Sequence, residues 1–357
     1  MFQLLKTLTS LHGPCGYEQP VTTWIKNKLK PIVDEVEVDP LGNVIARKKG
    51  TNNGPKMIIT AHMDEVGFIV KKIENNGLLR FEKLGGHDDR ILLAQKVQIR
   101  TQKGLLTGVI GTMSAHFVKF DDPSKVRNHR QLYIDVGASS KEVAEKLGIE
   151  IGNPITWVPN IEFLGNETTG KIVGKGFDDR AGCAVILQTL EEVNGASFNG
   201  EIIAIFTVQE EVGLRGAKVA AERVTADVAI AIDTTAVSDT PEETMDGSLS
   251  LGDGTGIKII DFSLIAHPAV KEKLIQLARQ HSIPFQHEVF PGIGTDGGAI
   301  SLANKGIPTG VLSIPSRYAH SPVEVIDLND LEATKNLLKQ FILEIDENEE
   351  FPFLSNN

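Results

Sequence analysis

Cysteine is nearly absent: Cys15 and Cys183 are the only two in 357 residues. That excludes a disulfide framework or a thiolate metal site, and a reducing cytoplasm suits such a chain. Long apolar runs are missing too, none approaching the ~18 residues of a membrane span. The N-terminal MFQLLKTLTSLHGPCG threads polar residues through its apolar ones, so no targeting segment is expected. Positive charge is scarce, with 36 Lys and Arg against 47 Asp and Glu and a formal net charge of -11. A surface of that sign repels phosphate backbones and anionic lipid, which argues against nucleic acid or a membrane as partner. Internal repeats, low-complexity tracts and long charge runs are likewise absent. What is present is an ordinary globular composition, 41% hydrophobic, ample for one large domain or two.

The pattern of apolar residues changes twice along the chain. LLKTLTSLHG and, after a turn at Pro20, TTWIKNKLKPIV carry helical spacing. EVEVDPLGNVIARKKG reads as a hairpin turning at DPLGN, and KMIITAH as a short strand bounded by the turn residues TNNGP. From about residue 67 to 165, short alternating strands such as VGFIVKKI, LLRFEKL, KVQIRT, LLTGVIGT and ITWVP predict a small β-barrel or sandwich. Beyond it, long helical patterns alternate with fully apolar strands, among them DDRAGCAVILQTLEEV, EIIAIFTVQ, ADVAIAID and GVLSIP. The expected fold is α/β: a mixed, largely parallel sheet flanked by helices, built from residues 1–66 plus 166–357, with a β-rich module inserted at 67–165.

Open parallel sheets bind ligands at the carboxyl ends of their strands, and the reactive residues of this chain collect there. His62 and Asp64 follow KMIIT, Glu210 and Glu211 follow IIAIF, Asp233 follows VAIAI, and His320 lies beyond GVLSIP. Asp178 and Asp179 open the helix DRAGCAVILQTL, where Asp is also a common cap. Each residue alone has an ordinary explanation as a cap, a solvated strand end or a structural histidine. Together, five distant segments deliver carboxylate or imidazole to one sheet edge, where uncompensated carboxylates repel one another. A cation relieves that repulsion. Two imidazoles with several carboxylates and no thiolate suit Zn²⁺, Co²⁺ or Mn²⁺, and the carboxylate surplus points to two metals sharing a bridge. In such a centre one of two adjacent glutamates can ligate while the other takes a proton from water.

The stretches AHMDEVGF at 61–68, GKGFDDRAG at 174–182, TVQEEVGLRGA at 207–217, AIDTT at 231–235 and RYAHSP at 317–322 resemble the tetrahedral (TET-type) dinuclear metallo-aminopeptidases. That group includes glutamyl aminopeptidases and sequences sometimes labelled endoglucanase, and the resemblance covers nearly the whole chain. It implies a zinc-exopeptidase-like catalytic domain with an inserted barrel that mediates oligomerisation. It further implies that His62, Asp178 and Asp233 hold one divalent metal, that Asp178, Glu211 and His320 hold the other, and that Asp178 is the bridge. Glu210 would be the general base, Asp64 the carboxylate that orients a histidine ligand, and the Asp178–Asp179 peptide bond would be cis. The implied reaction removes N-terminal residues from small peptides through a metal-activated water. The implied assembly is a homododecamer built from dimers.

Other residues carry weaker readings. GIGTDGGAI at 292–300 resembles a loop near the substrate, or is merely a turn. His116 falls where relatives often carry a histidine that approaches a neighbouring site, or is an ordinary residue of the insert. GGHDDR at 85–90 reads as a loop outside the centre, and Arg317 does not establish an acidic substrate. Two rival activities share the pattern: a two-metal deacylase or dipeptidase acting on N-acylated amino acids, and a glycosidase. The glycosidase needs two carboxylates facing each other across a bond, whereas adjacent strand-end glutamates point to opposite faces.

Overall fold

The computed structural model of the chain describes residues 1–122 and 124–354. An eleven-stranded sheet forms its centre. Along the main path the strands run Glu35–Val38, Val44–Lys49, Asn199–Thr207, Asn52–His62, Val228–Ala236, Thr309–Arg317, Glu324–Asp327, Lys171–Gly174 and Glu162–Phe163. The four strands from Asn199–Thr207 to Thr309–Arg317 are parallel to their neighbours, and the strands on either side join antiparallel. The register places Thr207 opposite His62 and Asp233 opposite Ser313, so the carboxyl ends of the four central strands reach one edge.

Alternation decides which face each residue serves. Met57, Ile59 and Ala61 point into the larger core with Ile202, Ala204 and Phe206, beneath the helices Phe2–Ser10, Phe177–Glu192 and Leu328–Leu343. Ile58, Ile203 and Ile205 face the other way, against Arg215–Ala221 and Asp296–Ser301. Strands covered on both faces have no polar side, which is why KMIIT and EIIAIF read as unbroken apolar runs.

The chain leaves this sheet four residues after His62 and builds a closed six-stranded barrel. Its order is Gly67–Ile73, Leu79–Leu84, Ile134–Asp135, Gly104–Ile110, Lys96–Thr101 and Pro154–Trp157. Phe68, Phe81, Val97, Ile99 and Trp157 fill a core separate from that of the sheet. Phe68 meets Phe81 and Trp157 edge-on, the orientation the ring quadrupoles favour.

Three local readings need correction. The strand ending at His62 begins at Asn52, so TNNGP joins the sheet instead of turning before it. Its Asn52 and Lys56 pair with Asn199 and Glu201, which accounts for the extension. Pro20 lies within the first turn of the helix Gln19–Leu29, where its missing N–H has no partner to lose. The sequence pattern also does not flag Thr255–Ile260 and Phe285–Val289, which pair with each other, the former also with Thr309–Arg317.

Arg180 ties the N-terminal segment to the sheet edge. Its fully buried guanidinium donates to the carbonyls of Met63 and Leu8 at 2.6 Å each and to that of Gly13 at 3.2 Å. Removing the donors strands these buried acceptors, so Arg180→Met is expected to destabilise the fold by roughly 3 kcal/mol. Chemical denaturation of the purified variant checks this; an unchanged midpoint would mean that the carbonyls find other donors.

Candidate metal centre and active site

The sheet edge opens on a cavity of about 600 Å³. His62, Asp178, Glu210, Glu211, Asp233 and His320 all line it, brought there by five separate segments. Asp64 lies behind them, fully buried. The peptide bond between Asp178 and Asp179 is cis, and it interrupts the first turn of the helix that starts at Phe177.

Asp178 stands between the two histidines. Its Oδ1 is 3.0 Å from His62 Nε2, and its Oδ2 is 3.4 Å from His320 Nε2. Asp233 Oδ1 lies 3.7 Å from His62 Nε2, and Glu211 Oε1 lies 3.0 Å from His320 Nε2. The cluster thus has two halves, each with one imidazole and one carboxylate of its own, joined by Asp178.

The tautomers follow from the carbonyls behind the rings. His62 Nδ1 is 3.1 Å from the Asp64 carbonyl and His320 Nδ1 is 3.0 Å from that of Gly86. A carbonyl only accepts, so each Nδ1 carries a proton and each Nε2 is aimed into the cluster. The Asp64 carboxylate works on the other partners: Oδ1 accepts from the backbone N–H of Glu210 and Oδ2 from that of Glu211. One aspartate therefore fixes both the ring of His62 and the adjacent glutamates.

The electrostatics are those of a site short of positive charge. Burial pushes the carboxyls of Glu210, Glu211 and Asp233 above their ordinary range, and neighbouring carboxylates push further. Burial also acts on Asp178, but hydrogen bonds from His320 and His62 outweigh it and hold this group below its ordinary value. Burial disfavours the charged imidazoles, yet Asp178, Asp233 and Asp64 raise His62, and Glu211 and Asp178 raise His320 to about 12. Without a cation the histidines must supply the missing charge as protons. Glu211 Oε1 is buried and, besides His320 Nε2 at 3.0 Å, has no hydrogen-bond partner among the described residues.

The donor set fits divalent cations. His62, Asp178 and Glu211 offer ligand atoms within 4.8 Å of one another, as do His62, Asp179 and Asp233. Asp179 is the less available of the two aspartates. Its Oδ1 accepts from Gly182 N–H at 2.9 Å and its Oδ2 from His62 N–H at 3.2 Å. A Cβ at Gly182 would fall 2.5 Å from the Asp179 carboxylate, so that contact requires glycine.

Several residues around the site escape a motif-based reading. Glu324, in the short strand EVID, accepts from the backbone N–H groups of Phe177, Asp178 and His320, joining two donor-bearing segments; burial pushes its pKa up to about 8. Its signal was a lone glutamate in an apolar strand. GGHDDR is not remote from the centre, because Gly86, His87 and Asp88 line the cavity and Gly86 orients His320. Gly292, Ile293 and Gly294 of GIGTDGGAI line it too, while Asp296 is buried against the Thr207 hydroxyl. Arg317 is clamped bidentate by Asp239, at 2.7 Å on both contacts. His116 is exposed on the barrel, outside the cavity lining.

A mixed sheet with a closed six-stranded barrel beside it is the architecture of solved aminopeptidases. The aminopeptidase APDkam598 of Desulfurococcus kamchatkensis superposes with a TM-score of 0.91 at 43% identity, covering 96% of this chain and 94% of that one. The TET1 peptidase of Pyrococcus horikoshii, described as able to assemble into a tetrahedron or a large octahedral shell, gives a TM-score of 0.86 at 34% identity over 96% and 99%. A putative aminopeptidase of Acetivibrio thermocellus is 39% identical over 342 residues, 96% of this chain and 98% of that protein. The M42 glutamyl aminopeptidase family model matches residues 42–337. The chain belongs to this family of peptide hydrolases.

A site that binds a cation only when folded gains stability from it. At a free ion concentration of about 100 times Kd the gain is ~2.7 kcal/mol, so metal-stripped protein is expected to melt several degrees higher after addition of Zn²⁺, Co²⁺ or Mn²⁺. Scanning calorimetry checks this, and an unchanged Tm with all three ions would count against a cation site.

Proposed function

We propose that the protein is an aminopeptidase that uses two divalent cations to remove N-terminal residues from small peptides. His62, Asp178 and Asp233 would hold one ion; Asp178, Glu211 and His320 would hold the other. The observation that carries this reading is Asp178, which turns one oxygen to each histidine. When bound, such ions polarise a carbonyl and make water acidic enough to serve as a nucleophile near neutral pH. Zinc, cobalt and manganese all suit the nitrogen and oxygen donors.

The remaining roles belong to the chain itself. Glu210 lines the cavity beside Glu211 and has a carboxyl of raised proton affinity. It takes the proton from the attacking water and delivers it to the leaving amine. Asp64 holds the Glu210 and Glu211 backbones in place and faces His62 Nδ1 at 3.5 Å.

We further propose that residues 1–66 plus 166–357 form the catalytic unit and that 67–165 form an oligomerisation module giving a dodecamer built from dimers. In support, the barrel has a hydrophobic core of its own and exposes Phe117 and Val118 between two of its strands. No helix among the described residues is long and apolar enough to cross a membrane. Light scattering at micromolar concentration with metal present is expected to give a particle of about twelve chains; monomer alone would refute the assembly.

The division of labour between the two glutamates is the sharper test. Glu210→Gln is expected to keep both metals and lose kcat by a factor on the order of 10²–10⁴, with KM little changed. Glu211→Gln is expected to lose one metal and to recover partly when metal is added. Metal analysis and steady-state kinetics on a leucyl amide decide this. Loss of metal from Glu210→Gln with two retained in Glu211→Gln would invert the assignment, and full activity in both would end the two-metal reading.

A further inference from the structure

Apart from the cations proposed for the centre, the cavity offers a substrate side chain no strong base to pair with. Among the described residues neither lysine nor arginine lines it. Three basic residues of neighbouring segments are already engaged: Arg317 by Asp239, Arg90 by Asp88, and the fully buried Lys258 by Glu288 at 2.8 Å. An acid buried there would lose its hydration without compensation.

Phe262, Ile293, Leu214 and Ala236 supply apolar surface to the cavity lining. Phe262 is 71% exposed, an unusual position for a large ring next to a cavity. Its place is fixed by the backbone. Its N–H donates to the Ile293 carbonyl at 3.0 Å, and its ring lies against Gly294, where a Cβ would come within 2.7 Å of it. Glycine at 294 therefore lets the ring settle against the main chain within the cavity lining.

Taking the site to be that of an aminopeptidase, we propose that it selects a large uncharged apolar N-terminal residue, that Phe262 is a main determinant of that choice, and that Asp and Glu are rejected. The acidic preference in the family's description would then not hold for this chain.

The test is kcat/KM of the metal-loaded protein on leucyl, methionyl, lysyl, glutamyl and aspartyl p-nitroanilides. Leucyl or methionyl is expected to exceed both acidic amides at least ~100-fold, the scale for an unpaired buried charge. Phe262→Ala is expected to lose on the order of 10-fold on leucyl amide through KM, with less effect on alanyl amide. Phe262→Arg is expected to gain about 10-fold on glutamyl amide, a gain that misfolding cannot produce. A preference for acidic or lysyl amides overturns this proposal and leaves the aminopeptidase reading standing, as does an unchanged selectivity in both variants. Hydrolysis of none of the amides by the metal-loaded protein overturns both.

Discussion

Negative charge buried at one edge of a sheet is the constraint on which the rest of this structure turns. Asp64, Asp179, Glu324 and Asp296 are buried around a centre that itself contains Asp178, Glu210, Glu211 and Asp233 beside the imidazoles of His62 and His320. Charges so placed must be paired or hydrogen-bonded. The surrounding carboxylates meet this requirement differently from those of the centre. Asp64, Asp179 and Glu324 all accept backbone N–H groups from the segments that carry the central residues. Each is thus a clamp between two pieces of chain distant in sequence. The central carboxylates have no such donors in number, which leaves them facing the cavity and one another.

The sheet explains why five segments can meet there at all. Parallel neighbours align their carboxyl ends, so residues that follow different strands emerge side by side. The barrel takes part as well, since it departs only four residues after His62. Its Gly86 carbonyl holds His320 from 234 residues away, and Gly85, at φ +82°, packs a backbone without Cβ against Val66 and Glu211. A unit with its own hydrophobic core therefore still sets the orientation of one imidazole of the centre. Swapping or deleting that unit would leave His320 with an unpinned ring.

Much of this was legible in the sequence, and the limits have physical causes. Period and apolar runs located the central strands, because a strand buried on both faces has only one composition. Strand ends located His62, Glu210, Glu211, Asp233 and His320. Thr255–Ile260 and Phe285–Val289 were not legible, since IKII and FQHEV are short and interrupted by charge. Lys258 and Glu288, which break these patterns, neutralise each other across the pair of strands. GGHDDR was set aside as a loop because no strand pattern frames it; its contribution comes through a backbone carbonyl, which carries no residue signature. Glu324, and the part that Asp179 plays, were hidden for a related reason. Their partners are main-chain N–H groups, and only a three-dimensional arrangement says which carboxylate meets which amide.

The loops that carry the donors are also where the backbone departs from its comfortable regions. Gln209, Leu214, Tyr318 and His320 all have φ between +55° and +60°, left-handed values that favour glycine or asparagine. Each such residue costs on the order of 1–3 kcal/mol and persists only where its surroundings over-determine it. The surroundings here are the clamps: Gln209 N–H donates to Glu18, Glu210 and Glu211 to Asp64, and His320 to Glu324. None of these contacts belongs to the hydrophobic cores, which are filled from the strands and helices. Loss of one clamp would therefore relax a strained loop and misplace its donor while the sheet and barrel remain packed. Geometry at the centre and stability of the fold are in this way held by different interactions, and a substitution in the clamps acts on the first before the second.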